Sequence, residues 1–402
     1  LFVATPQLNQ ACGANNSFPG GLRANPQACL ARTGLHHVLM LRAPPAPWPA
    51  APPAESYPES GPARDRWVLA RRGPRPAHDL TRPQAFFVER ERNAEGRVAP
   101  GLTVLLTSRE CPWRCVMCDL WRGTVPGRVP PGLIPQQLAG ALAGADPAVQ
   151  GGCLKLYNSG SFFDPWAVPP ADYPALAAQV TGFGRVVVEC HPNLVGRRVL
   201  EFQQQLRAAA AARGRPAPGL EVALGLETAD PAVLARLNKR VRLEQFRRAA
   251  DFLRRHGVAL RVFILVQPPF APPGGAVEAA VRSVDFAFEC GAAVAVLIPT
   301  RPGNGALEAL AAAGQFTPPR LATLEAALDR SLRPTRGRVF ADLWDLEVFS
   351  DCPACFAARR KRLERINHEQ RPRPPVRCPH CGAGQKTTQE SQETPSRASA
   401  RG

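Results

Sequence analysis

Residues 110–121 read ECPWRCVMCDLW and place Cys111, Cys115 and Cys118 in a C-x3-C-x2-C spacing. A structural zinc site is normally closed by four protein ligands, and a disulfide framework needs an even number of cysteines. Three thiols this close leave a site unfinished. Just upstream runs LTVLLTS (102–108), a short apolar stretch that reads as a strand. The triplet therefore sits on the loop that follows a strand. A chance cluster or a partial zinc knuckle is the plainer alternative.

Working outward, the same strand-like run recurs at CLKLYNS (153–159), RVVVEC (185–190), LEVALGLE (220–227), LRVFILV (260–266) and AVAVLI (293–298). Helix-like stretches lie between the runs at 196–213, 231–257 and 275–291. Strands that are continuously apolar and alternate with helices predict an α/β fold with a parallel sheet. Six such repeats predict a partial (β/α)6 barrel of TIM type, whose loops carry the chemistry at the C-terminal mouth. The predicted domains are a Pro/Ala-rich, disordered stretch at 1–62, a barrel at 63–335, a metal-binding segment with a basic helix at 336–384, and a disordered tail at 385–402. Cys12 and Cys29 fall in the first of these and read as incidental thiols.

The composition is skewed, with 44 Pro against 2 Met and 3 Tyr, so a single proline carries little weight here. A formal charge of +17 points to a polyanionic partner, nucleic acid first, because basic side chains release counterions from phosphates. No run reaches the 18 to 20 apolar residues of a membrane span, and no membrane partner is expected. The chain opens on Leu1, so its natural start is left open, and it shows no secretory pattern. Twelve cysteines without an export signal predict metal or redox chemistry in a cytoplasmic protein.

A cubane iron–sulfur cluster has four irons, and three thiolates hold three of them. The fourth can then chelate the amino group and carboxylate of S-adenosylmethionine. Trp113, Met117 and Trp121 provide an apolar cover against water and oxygen.

These residues resemble the radical S-adenosylmethionine superfamily. KLYNSGSFFDP (155–165), VVECHPN (187–193), EVALGLETADPAVLARLNKR (221–240) and VFILVQPPF (262–270) look like its successive strand-end motifs. They resemble above all the subgroup of the archaeosine-synthase radical subunit and, more distantly, the elongator catalytic subunit; the likeness spans about 64–357. It implies a [4Fe–4S] cluster on Cys111, Cys115 and Cys118, bound S-adenosylmethionine, and a 5′-deoxyadenosyl radical that abstracts a substrate hydrogen. It further implies modification of a tRNA base, a partner enzyme subunit, and an electron donor such as flavodoxin or ferredoxin.

The resemblance also nominates residues for the cofactor. Asn158, Ser159, Gly160 and Ser161 stand where the family has a Gly-Gly-Glu turn, and small residues there let backbone carbonyls approach a ligand. Glu189 reads as a contact to the ammonium or ribose, or as a strand-end salt bridge. Glu227 is a similar candidate. Thr228 reads as a contact to the carboxylate, or as a turn residue before DPAVLARL. Asn238, Lys239 and Arg240 occupy the subgroup's Asn-Lys-Gly turn, with arginine in the glycine's place. Lys239 reads either as a cation for a carboxylate or phosphate, or as a solvated helix end. His191 divides between site residue and structural hydrogen-bonder. Cys153, Cys190 and Cys290 have no metal spacing and read as buried small hydrophobes.

Near the C-terminus, Cys352-x2-Cys355 and Cys378-x2-Cys381 are two knuckles separated by 22 residues. Four thiolates complete a tetrahedral site for zinc, though the same ligands also suit a second iron–sulfur cluster. Between the knuckles, Arg359, Arg360, Lys361, Arg362 and Arg365 form a basic helix that suits a nucleic-acid backbone, or simply a solvated face. Two alternatives stand beside the tRNA reading. In one, the same radical chemistry acts on a peptide or small metabolite. In the other, the chain is a non-catalytic, metal-stabilised nucleic-acid-binding module.

Overall fold

All six apolar runs become strands of one sheet in the computed structural model, which describes residues 56–272, 274–333 and 336–384. Of the disorder expected over 1–62 and 385–402, residues 1–55 and 385–402, with the thiols Cys12 and Cys29, lie outside the described residues, whereas within 56–62 Tyr57 is buried and a helix begins at Gly61. The six expected strands are β2 (Val98–Leu105), β5 (Cys153–Tyr157), β6 (Arg185–Cys190), β7 (Gly219–Glu227), β8 (Ala259–Val266) and β9 (Val294–Pro299). Two further strands extend the sheet: β1 (Ala85–Arg92) pairs antiparallel with β2, and β10 (Arg338–Ala341) pairs parallel with β9. The order is β1-β2-β5-β6-β7-β8-β9-β10. A two-stranded ladder, β3 (Ser108–Arg109) with β4 (Thr124–Val125), brackets the triplet loop. The fold is the expected mixed α/β half-barrel, with eight strands where six were predicted.

Both faces of the sheet are covered, which is why its strands are continuously apolar. Along β6, Val186 and Val188 join the helix-facing core, while Val187 faces inward with Leu105, Tyr157, Phe263 and Ile298. The outer layer includes α2 (Leu133–Gly144), α3 (Tyr173–Gln179), α4 (Arg197–Ala211), α6 (Leu243–Arg255), α7 (Ala276–Glu289) and α9 (Leu321–Ser331). Phe162, Phe163, Tyr173 and Phe202 form a fully buried aromatic knot beneath α3 and α4. Burial of each such side chain stabilises the fold by roughly 1.5–3 kcal/mol.

The helix expected over 231–257 is divided into α5 (Pro231–Arg236) and α6. The break falls at the Asn-Lys-Arg turn, where Asn238 and Arg240 both take left-handed φ of 57°. L-residues seldom adopt that conformation, and a helix cannot continue through it.

Toward the N-terminal ends of the strands, the inner face is filled by charge. Lys155 Nζ lies 2.8 Å from Glu89 and 2.6 Å from Glu91, and Arg261 lies 2.6 Å from both Glu91 and Glu221. Since β1 and β8 are far apart in the sheet order, the Glu91–Arg261 pair shows how strongly the sheet curls. Those two cations hold the Glu91 carboxyl well below the usual carboxylate range despite its burial.

Helix α10 (Pro353–Glu369) packs against β1 and β10, the two edges of the sheet. Asn367 Oδ1 accepts from Ala341 N and Nδ2 donates to Ala341 O, both at 2.8 Å. Gln370 does the same for Val339, at 2.7 and 2.9 Å. Two side-chain amides thus stand in for a ninth strand along an otherwise open edge. Beneath the triplet loop lies a second small core. There α1 (Gly61–Leu69) brings Trp67 and Val68, together with Tyr57, against Val116, Leu234 and Leu237, and against Leu307 of α8 (Ala306–Ala312). Among the described residues, no helix is long and apolar enough to cross a membrane.

Candidate active site and metal centre

The C-terminal ends of the strands enclose a cavity, open at its mouth. Cys111, Cys115 and Cys118 all line it. Their loop is pinned from three sides. Asn238 Nδ2 donates to Arg114 O at 2.8 Å, Asn304 Nδ2 donates to Val116 O at 2.7 Å, and Val116 N donates to Leu237 O at 3.0 Å. At the head of the loop, Glu110 is ion-paired with Arg72 at 2.6 Å, with Arg114 at 3.2 Å, and with Arg75. Burial raises all three thiols, Cys115 to about 12, so they become thiolates only with a cationic centre to hold them. A three-thiolate donor set facing an open cavity fits a cluster with one open iron.

Of the residues nominated for the cofactor, Ser159, Gly160, Ser161, Glu189, Glu227 and Lys239 line this cavity, whereas Asn158 and Thr228 do not. Asn158 lies beneath it, its Nδ2 3.1 Å from Ser108 Oγ. Thr228 takes the turn role: its Oγ1 accepts from Asp230 N at 3.1 Å, and Asp230 then caps α5 through Ala232 N and Val233 N. Among the described residues, Glu189 has no salt-bridge partner. Its Oε1 accepts from Asn158 N at 2.5 Å and Gly160 N at 3.3 Å, so it shapes the turn expected to meet the cofactor. Burial lifts its carboxyl to about 7, against the pull of these backbone donors.

Lys239 is not a solvated helix end. It is buried, and its Nζ lies 2.8 Å from Glu227 Oε1. Gly225 makes room for the pair: a methyl group there would collide with Glu227 Oε1 and stand 2.7 Å from Lys239 Nζ. Arg240 adopts the backbone conformation of the glycine it replaces and ion-pairs with Asp65. The turn therefore keeps its shape at a strain of roughly 1–2 kcal/mol. His191 does both things proposed for it. It lines the cavity, stacks on Trp113 at 3.4 Å, accepts from Asn193 N at Nδ1, and so presents Nε2–H to Lys239 O at 3.0 Å. Burial and Lys239 hold its pKa well below the usual value, which keeps the ring neutral. Met117 lines the cavity as expected, and Trp121 is buried beside Arg72.

Three contributors were not apparent in the sequence. Arg301 and Thr300, just past the end of β9, line the cavity, and Asp342 holds Arg301 at 2.9 Å. Asn304 anchors the triplet loop from 186 residues away. A polar residue just past an apolar strand is the one local signal for Arg301, and nothing local marks Asn304.

At the second centre, the sulfurs of Cys352, Cys355, Cys378 and Cys381 all lie within 4.8 Å of one another. Cys352 Sγ is 3.9 Å from Cys378 Sγ, and Cys355 Sγ is 3.8 Å from Cys381 Sγ. These thiols can hold a metal ion. Cys190 and Cys290 are buried free thiols as expected, while Cys153 is half-buried.

The basic helix needs correction. Arg359 and Arg362 turn inward onto α9, where Arg359 lies 2.6 Å from Glu325 and Arg362 lies 2.6 Å from Asp329. Both guanidinium groups are buried, because α10 uses them as packing and pairing residues. Lys361 and Arg365 are exposed and Arg360 is half-buried, so a much smaller basic face remains.

No family model matches the chain. It is 28% identical over 230 residues to archaeosine synthase subunit beta of Methanosarcina acetivorans, covering 55% of this chain and 63% of that protein's length. It is 20% identical over 260 residues to an uncharacterized protein of Methanocaldococcus jannaschii, covering 61% of this chain and 68% of that one. Among solved structures, methylornithine synthase matches with a TM-score of 0.43 at 16% identity, covering 69% of this chain and 71% of that one. Elp3 of Methanocaldococcus infernus matches with a TM-score of 0.42 at 14% identity, covering 59% and 61%. The chain thus carries its cysteine triplet at the mouth of a half-barrel and is similar in sequence to archaeosine synthase subunit beta, of whose length it spans 63%.

Proposed function

We propose that this chain is a radical S-adenosylmethionine enzyme that modifies a base in tRNA, in the manner of its archaeosine-synthase relative. One observation carries the reading: the three cysteines share a single cavity with the Ser159–Ser161 turn, Glu189 and the Glu227–Lys239 pair. A [4Fe–4S] cluster on those cysteines supplies, when bound, the electron that cleaves S-adenosylmethionine. The chain's own residues do the rest. Glu189 fixes the 158–160 backbone through its N–H groups; Ser108 Oγ occupies the Asn158 carbonyl, and the Ser159 and Gly160 carbonyls are offered to an ammonium group. Glu227 and Lys239 present opposite charges in a water-poor pocket, where they orient a zwitterion strongly. Met117, Phe263, Leu265 and Ile298 keep the cavity apolar and exclude water.

We assign the C-terminal cysteines to a single structural zinc ion. A tetrahedral zinc with bonds of about 2.3 Å spaces its sulfurs by about 3.8 Å. The 3.8 and 3.9 Å separations, with all four sulfurs within 4.8 Å of one another, support a single ion, since a cluster spreads its thiolates over two or more irons and sets some of them farther apart. The reading also takes in a partner subunit, a flavodoxin or ferredoxin as electron donor, a cytoplasmic location, and a division into a catalytic barrel at 63–335 and a zinc segment at 336–384.

Anaerobic reconstitution with iron, sulfide and reductant tests the proposal. A brown protein that releases 5′-deoxyadenosine is expected, and Cys115→Ala should abolish the release. No cleavage by a chain with an intact triplet would sink the enzyme reading. An unchanged tRNA nucleoside profile in a deletion strain, read by mass spectrometry, would overturn the tRNA assignment alone.

A further inference from the structure

Four of the six tryptophans stand two positions after an aspartate. Trp67 and Trp121 are buried, but Trp166 and Trp344 are 50% and 37% exposed. These two share one local design. Asp164 Oδ1 accepts from Trp166 N at 3.0 Å, and Asp342 Oδ1 accepts from Trp344 N at 3.1 Å. The other oxygen of each carboxylate faces an arginine, Arg109 at 3.6 Å and Arg301 at 2.9 Å. Each arginine also meets its own tryptophan. Arg109 lies over the Trp166 ring at 4.3 Å, and Arg301 Nη2 donates to Trp344 O at 2.6 Å.

Both clusters follow the C-terminal ends of parallel strands, β5 and β10, on the side where the cavity opens. Arg109 lies two residues before Cys111, and Arg301 lines the cavity. Phe87 of β1 supports Trp344 from the neighbouring edge, with ring centroids 5.0 Å apart. In both, an aspartate holds the tryptophan's backbone N–H; at Trp166 a guanidinium also lies over the indole, while at Trp344 it binds the backbone carbonyl, on a chain of formal charge +17. Rigid aromatic surfaces next to fixed positive charge are what unpaired bases stack on, with their phosphates close by. A folded protein partner would be expected to leave a wider apolar patch than these two partly exposed rings.

We propose that the rim of the cavity, with Trp166–Arg109 and Trp344–Arg301 as two stacking stations, binds the single-stranded nucleotides that flank the modified base. The inference rests on the nucleic-acid reading above, and it moves the principal contact from α10 to the barrel mouth.

The test is fluorescence anisotropy of a labelled, unmodified tRNA transcript titrated with the reconstituted full chain under anaerobic conditions. Trp166→Ala and Trp344→Ala should each weaken binding by about tenfold, leaving the slope of log Kd against log salt unchanged, because stacking releases no counterions. Trp166→Phe and Trp344→Phe should restore most of the affinity, and unaltered melting curves would confirm that all four variants fold. A Lys361→Ala/Arg365→Ala double variant should bind nearly as the wild type does. Full affinity in both alanine variants would overturn the rim assignment while the nucleic-acid reading stands. A wild-type chain that fails to bind the transcript would overturn the nucleic-acid reading and the rim with it.

Discussion

Glu227 Oε1 and Lys239 Nζ meet at 2.8 Å inside the cavity, with each side chain almost wholly withdrawn from water. Removing one partner leaves the other charged and buried. Lys239→Met or Glu227→Gln should therefore lower stability by roughly 3–5 kcal/mol. The double variant should regain much of that loss. Anaerobic urea unfolding of the four proteins gives the coupling directly, and additive losses would show that the pair does not act as a unit.

Glu189 gives a pH signature. Its carboxyl titrates at about 7 in the folded chain against 4.5 in the unfolded one, chiefly because it is buried. The native state thus holds a proton that the unfolded chain has already released. That contribution is complete below about pH 4.5 and is lost as the pH rises through about 7. In the ligand-free protein, the stability difference between wild type and Glu189→Gln should shift against the wild type by on the order of 3 kcal/mol across that window. Urea midpoints at several pH values measure it, and parallel curves would refute the assignment.

Metal removal should act at a distance. Cys352 caps α10 and Cys355 lies in its first turn, while Asn367 and Gln370 at its other end cover β10. Chelation, or Cys378→Ser, should release the zinc and speed hydrogen exchange at residues 338–341, with the centre of the sheet unaffected. A Cys111→Ala/Cys115→Ala/Cys118→Ala variant should keep its zinc and take up no iron–sulfur cluster. Iron bound to that variant would overturn the zinc assignment.

Arg240 bears on how the turn tolerates its departure from glycine. Arg240→Gly relieves the left-handed strain but loses the partly exposed pair with Asp65, so stability should stay within about 1 kcal/mol of wild type. Arg240→Val loses the pair, keeps the strain and adds a branched side chain, and should be clearly less stable. Thermal unfolding of the two variants side by side distinguishes these outcomes.

The parts of this fold that depend on local pattern were legible in the sequence. The six central strands are continuously apolar because helices cover one face and an inner cluster the other, and a run such as RVVVEC shows this without any partner. The edges were not legible. In β1, AFFVERER sends Glu89 and Glu91 inward to meet Lys155 and Arg261, so its charged residues look like surface until those partners are known. β10 spans only Arg338–Ala341, too short to stand out. The cysteine spacings disclosed both groups of clustered thiols, because ligand spacing is written into a few neighbouring residues. The supports of the triplet are long-range: Asn304, Asn238 and Arg72 reach it only once the chain is folded. Arg359 and Arg362 misled for a related reason, since charge alone does not reveal that Glu325 and Asp329 await them.

The amide ladder of Asn367 and Gln370 along β10 bears on how this protein behaves in company. A sheet that ends in bare backbone invites a neighbouring chain to add a strand, which is a common route to aggregation. Here a helix anchored at its start by cysteines seals that margin, so loss of zinc would turn a self-contained molecule into an adhesive one. Any partner subunit must then recognise side chains and shape, because on the β10 side the backbone is already spoken for.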